Sequence, residues 1–124
     1  MDLFLEKSTV VGAGLMGGQI GLILALGSHE TVLMSRRRES TDRAMESIRR
    51  YVSDLHRHGL LRDEYPEAVI ARIRPTTDLM GAMDGTVFAV ESIPEVLEEK
   101  QALFERMDAL APQRALLVSN TSGL

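Results

Sequence analysis

The sequence has 124 residues, enough for one compact domain with a single core and too few for two domains of ordinary size. Its 14 Lys and Arg residues against 18 Asp and Glu residues give a formal net charge of -4, which argues against nucleic acid or an anionic membrane as partner. The absence of cysteine excludes disulfides, thiol catalysis and cysteine-ligated metal, and no apolar stretch reaches the roughly 18 residues of a membrane span. We therefore expect a cytoplasmic protein without a leader or a membrane segment.

Short β-like runs alternate with longer stretches of helical periodicity along the chain. In order, the patterns predict a strand at 7–11, an apolar helix at 15–26, a strand at 31–34, an amphipathic helix at 38–57 that buries Tyr51 among others, a turn and short helix within 58–73, an edge strand at 72–77, a strand at 85–91, a helix at 95–111 and a strand at 115–119. Repeated β-α-β order is typical of a parallel sheet with helices on both faces. The predicted fold is α/β, with a doubly wound, mostly parallel sheet.

The segment GAGLMG joins the first predicted strand to the first predicted helix and satisfies the pattern G-x-G-x-x-G. Gly12 permits a tight turn, Gly14 lets a pyrophosphate approach the backbone, and Gly17 allows the helix to pack closely on the strand. Leu15 and Met16 lie between them, where the helix N-terminus presents unpaired N–H groups to an anion. Glycines also occur in tight turns that bind nothing, but the flanking strand and helix favour a dinucleotide.

Three arginines follow the second predicted strand, in the sequence LMSRRRES. In proteins that bind NAD, an acidic residue roughly 20 positions beyond the glycines holds the ribose 2′-hydroxyl. Here that position is Ser35, followed by Arg36 and Arg37, which can bind a 2′-phosphate that a carboxylate would repel. A solvated charged run is the alternative, although positive charge is disfavoured near a helix N-terminus. The pattern favours NADP, with Arg36 as the first candidate for the phosphate contact.

Two residues of the segment ESIPEVLEEK are candidates for ligand contacts, and each also has a structural interpretation. Ser92 and Glu95 have capping-box spacing, so Glu95 is equally well explained as part of a helix cap. Lys100 falls inside the apolar stripe of the predicted helix 95–111, where it either extends along its methylenes to solvent or points toward the ligand crevice. Both interpretations of each residue stay open.

Histidines give no sign of a metal centre or of a catalytic base in this sequence. His29 follows the apolar helix in a turn, and His56 and His58 flank the end of a charged helix. Without cysteine or a nearby His-x-x-His pattern, we expect all three to be solvated and no metal to be bound.

Four segments in order, VVGAGLMGGQIGLILALGSHETVLM, RIRPTTDL, ESIPEVLEEKQALF and SNTSGL, resemble the 3-hydroxyacyl-CoA dehydrogenase family. The resemblance implies a Rossmann-type N-terminal domain with a helical hairpin inserted after the second strand, here at about 40–72, followed by a helical domain that forms homodimers. Residues 1–124 would be the dinucleotide-binding domain. The implied activity is hydride transfer between NAD(P) and C3 of a 3-hydroxyacyl thioester in fatty acid metabolism.

The resemblance also implies roles for individual residues. Positions matching the family's cofactor contacts are Gly12, Gly14, Gly17, Glu95 and Lys100. Ser122 matches a serine that hydrogen-bonds near the substrate hydroxyl and the nicotinamide, with Asn120 and Ser119 as lesser candidates. A strand end followed by a helix cap is the structural interpretation of the same segment, and the two roles are compatible.

Three departures from the family pattern limit what can be carried over. Ser35 replaces the usual acid, which favours NADP over NAD, and Tyr51 and His58 occupy positions where family members contact CoA through Ser and Lys. A carrier other than CoA, such as an acyl carrier protein, or no carrier at all, is therefore an alternative to CoA. Family members place a catalytic His and its Glu partner beyond the SNTS strand, and the sequence ends at Leu124, so we expect binding with negligible turnover.

Two other functions are consistent with parts of the sequence. A β-hydroxyacid dehydrogenase of the hydroxyisobutyrate or 6-phosphogluconate kind also resembles GAGLMG followed by a strand ending in Ser-Arg, but lacks the later segments. A non-catalytic nucleotide-binding relative is the second alternative, since dehydrogenase folds host unrelated functions.

Overall fold

The computed structural model describes residues 6–27, 29–61, 65–93 and 96–119. Its elements are β1 (Lys7–Val11), α1 (Leu15–Leu26), β2 (Glu30–Met34), α2 (Arg38–Arg57), α3 (Pro66–Ala71), β3 (Ile73–Thr76), α4 (Leu79–Met83), β4 (Phe88–Glu91), α5 (Leu97–Leu110) and β5 (Leu116–Ser119). The order and type of every predicted element are confirmed. These predictions succeeded because long apolar or amphipathic segments of the sequence have a clear helical or strand periodicity.

Within the described residues, five parallel strands form one sheet in the order β3-β2-β1-β4-β5. The chain winds outward from β1 in one direction to β3 and then in the other direction to β5, so the order reverses between β1 and β4. The register aligns the last residues of all five strands in one row, namely Thr76, Met34, Val11, Glu91 and Ser119. The predicted doubly wound α/β fold is confirmed, and a ligand crevice is expected where the order reverses.

Side chains on the two faces of the sheet enter two separate cores, because successive strand residues point to opposite sides. Val10, Leu33 and Val90 pack with α1, α2 and α3 on one face. Val11 and Met34 pack with α4 and with Met107 of α5 on the other face. Ala89 belongs to this second core, and Glu91, two residues further along β4, points to the same side.

The helical hairpin predicted after the second strand is formed by α2 and α3. One stripe of α2 is buried, and it consists of Thr41, Ala44, Met45, Ile48 and Val52. Pro66 begins α3, where its missing N–H costs nothing. Tyr51 is not buried as predicted, since 46% of it is exposed and its side chain lies at the margin of the stripe, facing a cleft.

Two details of the second half differ from the predictions. The five-residue helix α4 (Leu79–Met83) was not predicted, because a single helical turn is too short to produce periodicity. Helix α5 begins at Leu97 instead of residue 95, with Val96 at the N-cap position and no side-chain cap hydrogen bond there. Glu95 lies outside the described residues, so its interpretation as part of a helix cap stays open. The backbone N–H of Ile93 donates to the carboxylate of Glu91 at 2.7 Å.

Candidate dinucleotide-binding site

A cleft of about 1140 Å³ opens at the carboxyl edge of the sheet, between the β1–α1 turn, the end of β2, one face of α2 and the cleft-facing side of α5. Seven of the residues predicted from the sequence to bind the cofactor line this cleft: Gly12, Gly14, Leu15, Met16, Ser35, Arg36 and Arg37. Gly17 and Lys100 are also described, but both are buried and neither lines the cleft. Glu95, Asn120 and Ser122 lie outside the described residues. The assignment of these residues to a cofactor stays a prediction.

The three motif glycines have three different environments. Gly12 has φ +119, and a Cβ atom there would lie 2.6 Å from the carbonyl carbon of Ser92 and closer still to its oxygen. A Cβ atom on Gly17 would lie 2.8 Å from the carbonyl carbon of Gly12, again with the oxygen closer. At Gly14, by contrast, a Cβ atom would meet nothing within 4 Å. Gly12 and Gly17 are therefore required by the fold itself, whereas Gly14 faces open space at the N-terminus of α1.

Positive charge is concentrated beside the end of β2. Ser35 is partly buried, and its hydroxyl oxygen accepts a hydrogen bond from the backbone N–H of Arg37 at 3.4 Å. Arg36 and Arg37 are exposed and line the cleft, whereas Arg38 begins α2 and is not among the lining residues. Neither Arg36 nor Arg37 forms an ion pair with any other described residue. Two guanidinium groups are thus available to an anion at this point.

The cleft contains two further arginines that were not singled out from the sequence. Arg43 lies one turn along α2 from the cleft-lining Ser40, and its spacing on the predicted helix could have suggested it. Arg106 comes from the third turn of α5, and only the tertiary structure brings it to the cleft that Arg36 lines. Both Arg36 and Arg106 also border a second cavity of about 610 Å³. Glu99 adds one acidic side chain to the lining of the main cleft, so the local charge is positive overall.

A buried carboxylate links β4, α5 and β5 at the carboxyl edge of the sheet. The side chain of Glu91 has no exposed surface. Lys100 Nζ donates to Glu91 Oε2 at 2.6 Å, Ser119 Oγ donates to Oε1 at 2.6 Å, and the N–H of Ile93 donates to Oε2. Burial by itself raises the pKa of Glu91, but the hydrogen bonds from Lys100, Ser119 and Ile93 and the charge of Lys100 together lower it. Glu91 is therefore ionised at neutral pH.

This cluster excludes one of the two interpretations of Lys100, whereas a contact between Lys100 and a cofactor stays a prediction. Only 5% of Lys100 is exposed, so it does not extend to solvent along its methylenes. Its position in the apolar stripe of α5 brings its ammonium group under the carboxyl edge of the sheet, against Glu91. Glu91 was not predicted from the sequence, because the last residue of a buried strand gives no local sign that its carboxylate is paired.

No described histidine lines the cleft. His29 Nδ1 lies 2.9 Å from Ser8 Oγ at the opposite edge of the sheet, and His56 and His58 are at the exposed end of α2. The described ranges contain no cluster of three or more His, Asp or Glu side chains suited to a metal ion. They also contain no helix that combines the length and the apolarity needed to cross a bilayer.

Comparison with known proteins gives a consistent result over nearly the whole chain. Residues 7–124 match the family model described as 3-hydroxyacyl-CoA dehydrogenase, NAD binding domain. The probable 3-hydroxybutyryl-CoA dehydrogenase of Deinococcus radiodurans is 36% identical over 118 residues, which cover 95% of this chain and 42% of that protein. Human mitochondrial hydroxyacyl-coenzyme A dehydrogenase is 31% identical over 127 residues, covering 98% and 40%.

A solved structure shows that the similarity extends to the fold. The crystal structure of 3-hydroxybutyryl-CoA dehydrogenase from Escherichia coli superposes with a TM-score of 0.90 at 30% identity, covering 98% of this chain and 26% of that one. The chain spans about two fifths of the length of the two curated relatives. The family model, the relatives and the sheet topology agree, and the chain belongs to the 3-hydroxyacyl-CoA dehydrogenase family, in which it corresponds to the NAD-binding domain.

Proposed function

We propose that this domain binds NADP(H) across the carboxyl edge of its sheet, as part of an enzyme that transfers hydride between NADP(H) and C3 of a 3-hydroxyacyl or 3-oxoacyl thioester. The observation that carries the proposal is the cleft in which the open turn at Gly14 and the guanidinium groups of Arg36 and Arg37 meet. Family membership supports a nicotinamide cofactor. The preference for NADP rests on the residues at the end of β2.

The turn between β1 and α1 suits a pyrophosphate. Gly14 is the N-cap residue of α1, and no side chain caps this helix, so its first backbone N–H groups are available to an anion. The space beside Gly14 is open, which lets a phosphate approach the backbone without displacing protein atoms. Leu15 is 71% exposed at the same turn and would be covered by the ligand.

The adenosine end of the cofactor would lie over β2, where Ser35 replaces the acid that selects NAD. A 2′-phosphate carries nearly two negative charges, and Arg36 and Arg37 can bind it through charge-assisted hydrogen bonds. Arg43 and Arg106 add positive charge on two other sides of the same cleft. In a chain with a net charge of -4, this concentration of arginines at one cleft favours an anion with more charge than NAD carries.

The substrate class follows from the relatives, which are named for 3-hydroxybutyryl-CoA and hydroxyacyl-coenzyme A. We take a 3-hydroxyacyl thioester as the substrate, with CoA as the first candidate carrier and an acyl carrier protein as the second. The nicotinamide would accept hydride from C3 while the 3-hydroxyl loses its proton, or would supply hydride in the reverse direction. Ser122 and Asn120 are the residues we propose to contact that hydroxyl, in an enzyme that acts as a homodimer.

Titration of the protein with NADPH and with NADH tests the cofactor proposal. We expect NADPH to bind more tightly, and we expect the double substitution Arg36→Ala and Arg37→Ala to weaken NADPH with little effect on NADH. Loss of one hydrogen bond between charged groups costs about 1.5–3 kcal/mol, which corresponds to roughly tenfold to 150-fold in affinity. Arg38→Ala is the matched control, since it removes the neighbouring charge from outside the cleft.

Two results would contradict the cofactor proposal. One is tighter binding of NADH than of NADPH by the unaltered protein. The other is a loss of NADPH affinity in Arg38→Ala as large as that in the double variant, because general electrostatics rather than a local phosphate site would then explain the binding.

We also propose that these 124 residues bind the cofactor without turning over substrate. None of the described histidines lies at the cleft, so no described imidazole is placed to exchange a proton with the substrate hydroxyl. Incubation with NADPH and acetoacetyl-CoA should give no change in absorbance of the reduced nicotinamide. Oxidation of NADPH by the purified chain would show that its catalytic base lies within it.

A further inference from the structure

Glu91 is the most completely satisfied charged group among the described residues, and the dinucleotide interpretation leaves it without a role. Its carboxylate has no exposed surface and accepts three hydrogen bonds, from a helix, a strand end and a loop. A charge placed in a core is costly unless every partner is present. A well-packed apolar pair would hold β4 to α5 at least as well, so stability alone does not account for an ion pair there.

The position of this carboxylate relative to the cleft follows from the strand order. A dinucleotide lies across the crevice at the point where that order reverses, which here is between β1 and β4. If the adenosine end lies over β2 and the pyrophosphate lies at the turn after β1, the nicotinamide end extends toward β4 and β5. Glu91 and Ser119 are the last residues of those two strands, and they are paired in the sheet register.

The three donors to Glu91 belong to three segments, and two of these segments, the loop after β4 and α5, contribute residues to the lining of the cleft. Ile93 lies in the loop after β4 and lines the cleft, Lys100 belongs to the first turn of α5, and Ser119 ends β5 immediately before Asn120. Moving the carboxylate would therefore release all three segments at once. None of the hydrogen bonds that Glu91 accepts from described residues comes from β2 or the start of α2, which border the adenosine end.

We propose that Glu91 is a positioning residue for the nicotinamide end of the site, acting through Lys100, Ser119 and the Ile93 loop. The inference rests on the proposed binding of NADP(H). The sequence predicted that Lys100 and Ser119 contact the ligands directly. In this proposal, both side chains are instead oriented by the carboxylate of Glu91 that they share. Glu91 itself is too deeply buried to touch the cofactor, and its effect is confined to how the surrounding segments are held.

Binding of a whole cofactor and of its adenosine half distinguishes this role from a general structural one. The probes are NADPH and adenosine 2′,5′-bisphosphate, titrated calorimetrically into the unaltered chain and into Glu91→Gln. Glutamine keeps the shape of the side chain, but it presents an N–H₂ group where an acceptor is needed and removes the negative charge that Lys100 contacts at this position. We expect NADPH to bind on the order of tenfold more weakly, by loss of charged hydrogen bonds, and the adenosine half to bind unchanged.

Glu98→Gln is the matched control, because it removes the same charge from an exposed position of α5 that does not line the cleft. If Glu91→Gln fails to fold, Ser119→Ala replaces it, since this variant removes one donor and leaves the ion pair intact. A loss of about threefold to tenfold for NADPH, with the adenosine half unaffected, is then expected from one neutral donor.

Several outcomes would overturn the proposal. Equal weakening of both probes by the variant used would indicate a general structural role, and unchanged binding of both would show that the cluster does not position the ligand. If the unaltered chain binds neither probe, the proposed function fails first and this inference fails with it. If the chain binds both probes and only the selective loss is absent, the proposed function stands and Glu91 has no positioning role.

Discussion

Substitution of Gly14 by alanine separates the binding role of the glycine turn from its structural role. Gly14 has φ -73 and ψ -169, which alanine adopts without strain, and its Cβ atom would meet no protein atom within 4 Å. The added methyl group would project into the space where a phosphate approaches the helix N-terminus. We therefore expect Gly14→Ala to fold normally and to bind NADPH poorly.

The expected changes in stability and in NADPH affinity follow from the surroundings of Gly14 and Gly17. In Gly14→Ala, the loss of a favourable N-cap residue and the lower entropy of the unfolded chain each amount to about 0.5–1 kcal/mol and oppose each other. A phosphate displaced from the backbone loses at least one charge-assisted hydrogen bond, about 1.5–3 kcal/mol, so affinity should fall roughly tenfold to 150-fold. Gly17→Ala is the contrasting variant, because its Cβ atom would overlap the Gly12 carbonyl and cost about 3 kcal/mol or more.

Urea unfolding followed by circular dichroism and titration with NADPH measure the two effects on the same samples. The expected result is a Gly14→Ala midpoint close to that of the unaltered chain with weakened binding, and a lowered midpoint for Gly17→Ala. Full NADPH affinity in a folded Gly14→Ala variant would refute the argument, because the open space beside Gly14 would then not be where the pyrophosphate lies.

Three other predictions concern the fold and its dependence on pH. Gly12→Ala should lower the free energy of unfolding by at least about 1–3 kcal/mol, because φ +119 is strained for alanine and the methyl group would overlap the Ser92 carbonyl. An unchanged midpoint in urea unfolding would contradict this prediction. Because the pKa of Glu91 is lowered in the folded state, its stabilisation is complete above the ordinary glutamate pKa and is lost as the pH falls through the lowered value. Acid unfolding should therefore be shallower for Glu91→Gln than for the unaltered chain, and parallel pH profiles would exclude this linkage. Met107→Ala, at a site with no exposed surface, should lower the free energy of unfolding by about 2–5 kcal/mol, measured by thermal or urea unfolding. Met80→Ala, at a site 67% exposed, should change it by less than about 0.5 kcal/mol. Similar losses of stability in both variants would argue against the second core.

The parts of the site that could be predicted from the sequence lie close together in the chain. Gly12, Gly14 and Gly17 act through the turn they form, and Ser35 and Arg36 follow the next strand. Their relation to one another depends only on the β-α-β unit, whose geometry is nearly invariant. Pattern and spacing were therefore sufficient to place them at one cleft.

The parts that could not be predicted depend on contacts between distant segments. Arg106 reaches the cleft from α5, and Glu91 is identified by donors up to 28 residues away. The exposure of Tyr51 depends on how α2 is rotated about its axis against the sheet. An apolar stripe in the sequence predicts this rotation only approximately, so a residue at the margin of the stripe can be either buried or exposed. No local pattern carries this information.

Periodicity and glycine spacing by themselves determined the α/β class, the order of the strands along the chain and the dinucleotide turn, because each reflects interactions within a few residues. Tertiary structure alone decided which charges meet. It brought Lys100 and Ser119 to the carboxylate of Glu91 and Arg106 to the cleft that Arg36 lines, since these positions depend on the strand order and register that fix where separate segments end. The physical reason is that backbone conformation is set largely by neighbouring residues, whereas the environment of a charge is set by whatever the fold packs against it.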